Sequence, residues 1–335
     1  MTLSRASIWM ILFLLATIFL FVADLVVGSV YIPFGEVVDT LSGKSSSTLN
    51  SNIIFNIRLN KAFVAVLTGA ALSVSGMQMQ TLFRNPLAGP YVLGISSGAS
   101  LGVALFILGL PLLGLQASDL PLGIAGAAWI GAAFVLLLIG FFSQRVKDIM
   151  VILILGMMFS SGISAVVQVL QYLSRDESLK SFIIWTMGSL GDVTNAQLPI
   201  LFLAILAGLI LALYTVKPLN QLILGEDYAK TMGLNIRRSR TLLFISTTLL
   251  AGTSTAFCGP IGFIGLAMPH VTRMIFSTSD HRVLLPANIL TGASVLILCD
   301  IISKVYVLPI NAITSLIGIP VIIFIVLQNK YSVSS

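Results

Sequence analysis

Apolar residues run almost unbroken for about twenty positions at a time along this chain, and short polar clusters punctuate them. A helix rises 1.5 Å per residue, so about 20 apolar residues cross a hydrocarbon core of about 30 Å. Ten stretches fit: about 8–30, 62–82, 92–114, 121–142, 149–172, 196–216, 241–258, 260–276, 284–303 and 312–328. The pattern predicts an all-α polytopic membrane protein with about ten transmembrane helices in one domain, 1–335. Between the spans, 31–60 reads as an outer Gly/Ser-rich loop and 174–195 as a longer connection with Trp185 as an interface anchor.

One polar interval stands apart. Residues 217–240 form a basic island whose pattern predicts a small helical element. Gly225 is a permissible N-cap, Glu226 and Asp227 place negative charge where a helix N-terminus favours it, Lys230 falls in the last turn, and Gly233 is set to end the helix in a left-handed conformation. A second short turn carries Arg237, Arg238 and Arg240. A structured element kept at a membrane surface is read as a handle presented to a partner.

Composition agrees with the hydropathy pattern: 57% of the 335 residues are hydrophobic and 9% charged, against about 25% charged in soluble domains. The formal charge of +6 does not indicate nucleic acid, because the basic residues are scattered between spans. They orient the chain instead. With the N-terminus inside, 12 of the 18 Lys and Arg fall in inner segments and 6 (Lys44, Arg58, Lys61, Arg175, Lys180 and Lys304) in outer ones. That bias places both termini and the island in the cytoplasm. The first apolar run is too long for a signal-peptide core and is read as an uncleaved span. Cys258 and Cys299 sit in apolar sequence and are expected to be buried small hydrophobes, not a metal or disulfide pair.

Candidate chemistry is sparse. Leu41-Ser42-Gly43-Lys44-Ser45 lacks the preceding glycine, strand and helix of a phosphate loop and is rejected. Small residues crowd 69–102 and predict close helix packing; a path lining is the rival reading, because Gln78, Gln80, Arg84 and Asn85 are costly in hydrocarbon unless they face protein or water. Glycines 259, 262 and 265 with Pro269 mark a short, interrupted span where a helix can bend. His270 is read as a hydrogen-bonded structural residue, and Asp280 as a cap for the next helix. Asp300 and Lys304 form an i,i+4 pair with the acid first, and Asp24 is expected to be paired or snorkelling near a span end. No nucleophile elbow, HExxH motif or Cys/His cluster is present, and buried acids that would relay protons or sodium are nearly missing from span centres. These absences argue against an intramembrane enzyme and against the alternative of an ion-coupled secondary transporter acting without an ATPase. They favour a passage driven from outside this chain.

Five strings together resemble the FecCD-type permeases of bacterial ATP-binding-cassette importers for iron–siderophores, haem and cobalamin: 69–102, WTMGSL at 185–190, LGEDYAKTMGL at 224–234, GPIGFIGLAMPHVTR at 259–273 and 280–300. Their order and spacing match over nearly the whole chain. The resemblance implies the type II ABC importer permease fold, a homodimer with the passage at its seam, two cytoplasmic ATP-binding subunits, a periplasmic substrate-binding protein and a bacterial inner-membrane location. No cofactor is then bound by this chain, ATP and Mg belonging to the partner ATPase. The family's coupling element falls on Gly225, Glu226, Asp227, Tyr228, Ala229, Lys230, Gly233, Arg237 and Arg238. Cobalamin-type members dock their binding protein through outer basic residues, which match Arg58, Lys61 and Lys304, and Leu87 matches a cytoplasmic gate position. Two of the three docking positions are Lys where the family has Arg, which keeps charge but loses the fork geometry. Further departures are Arg58-Leu59-Asn60-Lys61 for an R-x-P-R pattern, a missing acid and glycine within 307–311, and Gly89 for an aspartate.

Overall fold

Among the described residues, helix occupies most of each of the ten apolar stretches, the stretch at 260–276 becoming helical only from Ile264. A computed structural model describes residues 5–28, 32–44, 48–115, 123–143, 145–146 and 148–333; Ser45 of the rejected phosphate-loop string and Lys147, one of the twelve inner basic residues, lie outside the described residues. The helices are α1 (Arg5–Val26), α2 (Phe34–Leu41), α3 (Leu49–Leu82), α4 (Ile95–Leu112), α5 (Gly123–Ser143), α6 (Ile149–Leu173), α7 (Asp176–Thr186), α8 (Leu198–Leu222), α9 (Glu226–Thr231), α10 (Ile236–Cys258), α11 (Ile264–Phe276), α12 (His281–Tyr306) and α13 (Ile310–Val333). No strand occurs among the described residues. Eight of these helices are long and apolar enough to span by themselves; α11 and α13 supply the other two stretches. At 13 residues, α11 reaches only about 20 Å, as its glycine-rich approach foretold.

Helix α3 is the axis of the bundle: 83% of its most apolar window is buried, against none of that of α1. Small residues make this possible. A Cβ on Gly69 would strike the Gly292 carbonyl of α12, and one on Gly76 the Gly265 carbonyl of α11. Lipid offers little hydrophobic drive for helix pairing, so such backbone approach supplies the packing. Polar tethers add to it. Fully buried Gln78 donates to Ser246 Oγ at 3.0 Å and Thr215 Oγ1 at 3.3 Å, and accepts from Thr247 at 3.1 Å, binding α3 to α8 and α10. Ser73 donates to Asn288 of α12 at 2.9 Å, and Gln80 to the Leu266 carbonyl at 2.9 Å. Gln78 and Gln80 thus tether helices within the chain. Cys258 and Cys299 are buried and unpaired by disulfide.

Two polar intervals contain more helix than their composition predicted. The 31–60 interval holds α2 and the beginning of α3, because Val37 of α2 packs with Leu25, Ile32, Ile54 and Ala62 in a small separate core. The 174–195 connection holds α7, whose Asp176 and Glu177 occupy the first turn, where the helix dipole favours acids. Helices α3 and α12 run antiparallel, with Lys61 beside Asp300 and Thr81 beside His281. This defines two ends of the bundle, an Asp300 end and a Glu226 end.

Candidate functional site

At the Glu226 end, α9 is a six-residue helix that packing alone could not hold. Its N-cap, Gly225, has φ +104°, and its terminating Gly233 has φ +81°, both regions that side chains resist. The Gly233 N–H reaches the Lys230 carbonyl at 2.9 Å and the Leu234 N–H the Ala229 carbonyl at 3.0 Å, the paired closure of a Schellman motif. Asn235 then caps α10 by accepting from the Arg238 N–H at 3.0 Å. Below the helix, Arg240 Nη2 donates to both Glu226 oxygens at 2.6 and 2.8 Å, with Nε adding a bond at 3.2 Å. Ala229 is fully buried, while Asp227, Tyr228 and Lys230 face outward. Lys230 bonds Asp227 at 2.9 Å and holds its carboxyl below the ordinary range. Arg237 and Arg238 are exposed on the first turn of α10. The element is rigid inside and polar outside.

Beside it runs the turn 83–89. Arg84 is left-handed, with φ +47°, and Asn85 Oδ1 accepts the Leu87 N–H at 2.9 Å. His270 Nε2 donates to the Pro86 carbonyl at 2.6 Å, the structural role expected of it. Leu87 is 49% exposed. A cavity of about 250 Å³ opens between this turn and α12, lined by Gln80, Arg84, Arg273 and His281. Arg273 donates to Gln80 Oε1 at 2.6 Å, and His281 sits between Thr81 and Asn220 at 2.9 and 2.7 Å.

A match to the FecCD transport family covers residues 15–328. The chain belongs to that family. This FecCD chain is 37% identical to the hemin transport system permease HmuU of Yersinia pestis over 300 residues, 87% of this chain and 88% of that one. It is 37% identical to the vitamin B12 import permease BtuC of Klebsiella pneumoniae over 331 residues, 97% and 95% of the two chains, and 38% identical to the Bacillus subtilis ABC transporter permease YvrB over 85% of its length and 81% of that protein's. A solved chain assigned to the metal-chelate type of ABC transporter, in an inward-facing conformation, superposes with a TM-score of 0.82 at 30% identity, covering 96% of this chain and 98% of that one. It is thus an ABC transport permease, with ATP hydrolysis on a separate subunit.

At the Asp300 end of the FecCD bundle, the three basic residues matched to docking positions turn inward. Arg58 is 4% exposed and donates to the carbonyls of Leu25 and Val26 at 2.7 and 2.8 Å. Lys61 pairs with Asp300 at 2.9 Å, and Lys304 with Asp300 at 2.9 Å and Asp24 at 2.7 Å. Both carboxylates are fully buried, while the Lys61 and Lys304 side chains keep 20% and 10% exposure. The expected Asp300–Lys304 pair is thus half of a wider cluster joining α1, α3 and α12. Burial of an ion demands partners, and the two lysines supply them.

Helix α6 presents a third feature that sequence reasoning missed. Only 17% of its most apolar window is buried. Its exposed side carries Ser161, Ser164 and Gln168 among apolar residues. Polar side chains at helical spacing on an outward face were the available signal.

Proposed function

We propose that this permease translocates an iron chelate (siderophore or haem) or cobalamin across a bacterial inner membrane, as one half of a homodimer driven by two cytoplasmic ATP-binding subunits. The observation that carries this reading is α9: a short helix fixed to α10 by the Glu226–Arg240 pair, with Asp227, Tyr228 and Lys230 turned outward. A surface element held this firmly transmits a push. Gly225, Glu226, Asp227, Tyr228, Ala229, Lys230, Gly233, Arg237 and Arg238 form the contact for the ATPase, and this end lies in the cytoplasm with both termini, as the Lys/Arg bias directs.

The seam between copies runs along α6. Ser161, Ser164 and Gln168 on an exposed helix face are costly against lipid, and a water-filled path shared with a second copy removes that cost. Leu87, exposed in its turn beside α9, serves as the cytoplasmic gate. A periplasmic binding protein delivers cargo at the Asp300 end through Lys61, Lys304 and Arg58; for the first two, the partly exposed side chains offer reach, and for Arg58 the contact requires release from the α1 carbonyls. Haem and cobalamin carriage by similar permeases supports the substrate class, and the passage itself needs no cofactor on this chain.

Reconstitution of the permease with its ATPase and binding protein in liposomes tests the reading. Labelled cobalamin or ferric chelate accumulates only with ATP inside the assembly. Accumulation that follows an ion gradient without ATP overturns it.

A further inference from the structure

Helix α4 has two opposed faces. Gly98 and Gly102 press against Gly131 and Ala127 of α5, where a Cβ would meet backbone. Ser96, Ser97 and Ser100 instead line a cavity of about 280 Å³, facing Ser164, Gln168 and Gln171 of α6, with Phe182 and Thr186 of α7 completing the wall. None of the lining residues is charged. The six serine and glutamine side chains make no hydrogen bond among the described residues. Elsewhere in the bundle Ser75, Ser160, Ser254 and Ser294 return their hydroxyls to carbonyls of their own helices. None of the six is fully buried, and polar side chains facing hydrocarbon are costly, so their convergence marks a polar, solvent-accessible space and not a lipid-facing one.

The cavity lies toward the Asp300 end. Gln171 is in the last turn of α6. The chain beyond α7 reaches Asn60, which donates to the Val193 carbonyl at 2.8 Å and Asn195 Oδ1 at 2.9 Å, beside the ionic cluster. Asp176, Glu177 and Lys180 of α7 are exposed and do not line it.

We propose that this cavity is the vestibule subsite where cargo first meets the permease, and that it selects chelates with a neutral hydrogen-bonding periphery of amide, hydroxyl or hydroxamate groups over chelates carrying carboxylates or net negative charge. The proposal rests on the importer reading above and names the substrate class for it. Serine and glutamine side chains both donate and accept, so they can replace the water around an amide or hydroxamate group. A carboxylate or trianionic chelate entering the same space loses hydration with no cation to replace it, and specificity arises from that uncompensated loss.

The test uses the permease with its ATPase in nanodiscs, without nucleotide, and radio-iron-labelled chelates of matched size: a neutral ferric trihydroxamate and a ferric tricatecholate. The trihydroxamate binds at least about tenfold more tightly, and Ser164→Ala with Gln168→Leu removes about that factor, the scale of two lost neutral hydrogen bonds. Gln168→Arg, at an exposed position, gains about tenfold for the tricatecholate, a gain that misfolding cannot mimic. Equal binding of the two chelates, or affinities unmoved by both sets of substitutions, overturns the subsite. ATP-driven uptake by the complete assembly is measured in parallel for the two chelates, for haem and for cobalamin: its absence for all four sinks the importer reading, whereas its presence without class preference sinks the subsite alone.

Discussion

Arg240 grips both carboxylate oxygens of Glu226 across the junction of two helices, at 2.6 and 2.8 Å. The Arg240 side chain is 6% exposed and that of Glu226 22%. Charge-assisted bidentate pairing of this kind fixes direction as well as distance. Arg240→Lys keeps the charge and loses the fork. Faster amide exchange across 226–232, together with chelate-stimulated ATPase activity cut about tenfold while basal ATPase activity persists, is the expected outcome. Glu226→Gln behaves alike. Unchanged exchange in both variants would mean that the Schellman closure at Gly233 holds α9 without the pair.

The begin and end of α9 were legible in the sequence because glycine conformational freedom and charge placement are local: Gly225, Gly233 and the acidic first turn lie within nine residues. The Asp280 cap and the Asp300–Lys304 pair were legible for the same reason. What was hidden depends on helices distant in sequence. Nothing near Asp24 announces Lys304, and nothing near Gln78 announces Ser246 and Thr247. The inward turn of Arg58 toward the α1 carbonyls was equally invisible, since charge counting gives a side of the membrane and not a direction. Helix α2 was hidden because, apart from adjacent Ile32, its buried Val37 packs on residues contributed by α1 and α3. The serine face of α4 was masked by the glycines interleaved with it.

Asp280 begins α12 by accepting the Arg282 N–H at 2.9 Å, and Asn220 donates to the same oxygen at 2.7 Å. The Arg282 backbone bond, and then the Asn220 side chain, hold its carboxyl below the ordinary value. A carboxyl whose folded value is depressed adds stability above its unfolded value, and loses it as pH falls through the folded one. Asp280→Asn keeps an N-cap acceptor and cannot titrate, so its thermal midpoint should fall less than that of the parent protein between about pH 5 and about pH 2.5, a range set around an ordinary carboxyl value of about 3.9. Asp280→Ala should cost about 1 kcal/mol at neutral pH. Parallel pH curves for the parent and Asp280→Asn would remove this carboxyl from the acid response.

Gly69 and Gly292 meet so closely that a Cβ on either would strike backbone of the other helix. Gly69→Ala must push α3 from α12, at the usual overpacking cost of about 1–3 kcal/mol. Gly140→Ala, where nothing lies within 4 Å of the added carbon, is the control and should leave the thermal midpoint in detergent unchanged. Equal midpoints for the two variants would show that the helices part without cost.

Asp24 and Asp300 share Lys304, and Lys61 completes the group, so loss of transport on charge reversal here does not by itself identify a docking surface. Lys304→Met leaves two buried carboxylates with fewer cations, and breaking such a pair costs about 3–5 kcal/mol. Adding Asp24→Asn to that variant removes the orphaned charge and should restore more than half of the lost stability; no restoration would mean that Lys304 acts through packing of its stem. Docking is separated from stability by Lys61→Gln, whose side chain is 20% exposed. If Lys61 also meets acidic residues of a binding protein, the variant slows association of that protein several-fold at low salt. The deficit then shrinks as salt rises, because steering by exposed charge is screened while the internal pair is not. An association rate equal to that of the parent protein at every salt concentration would assign Lys61 to the internal cluster alone.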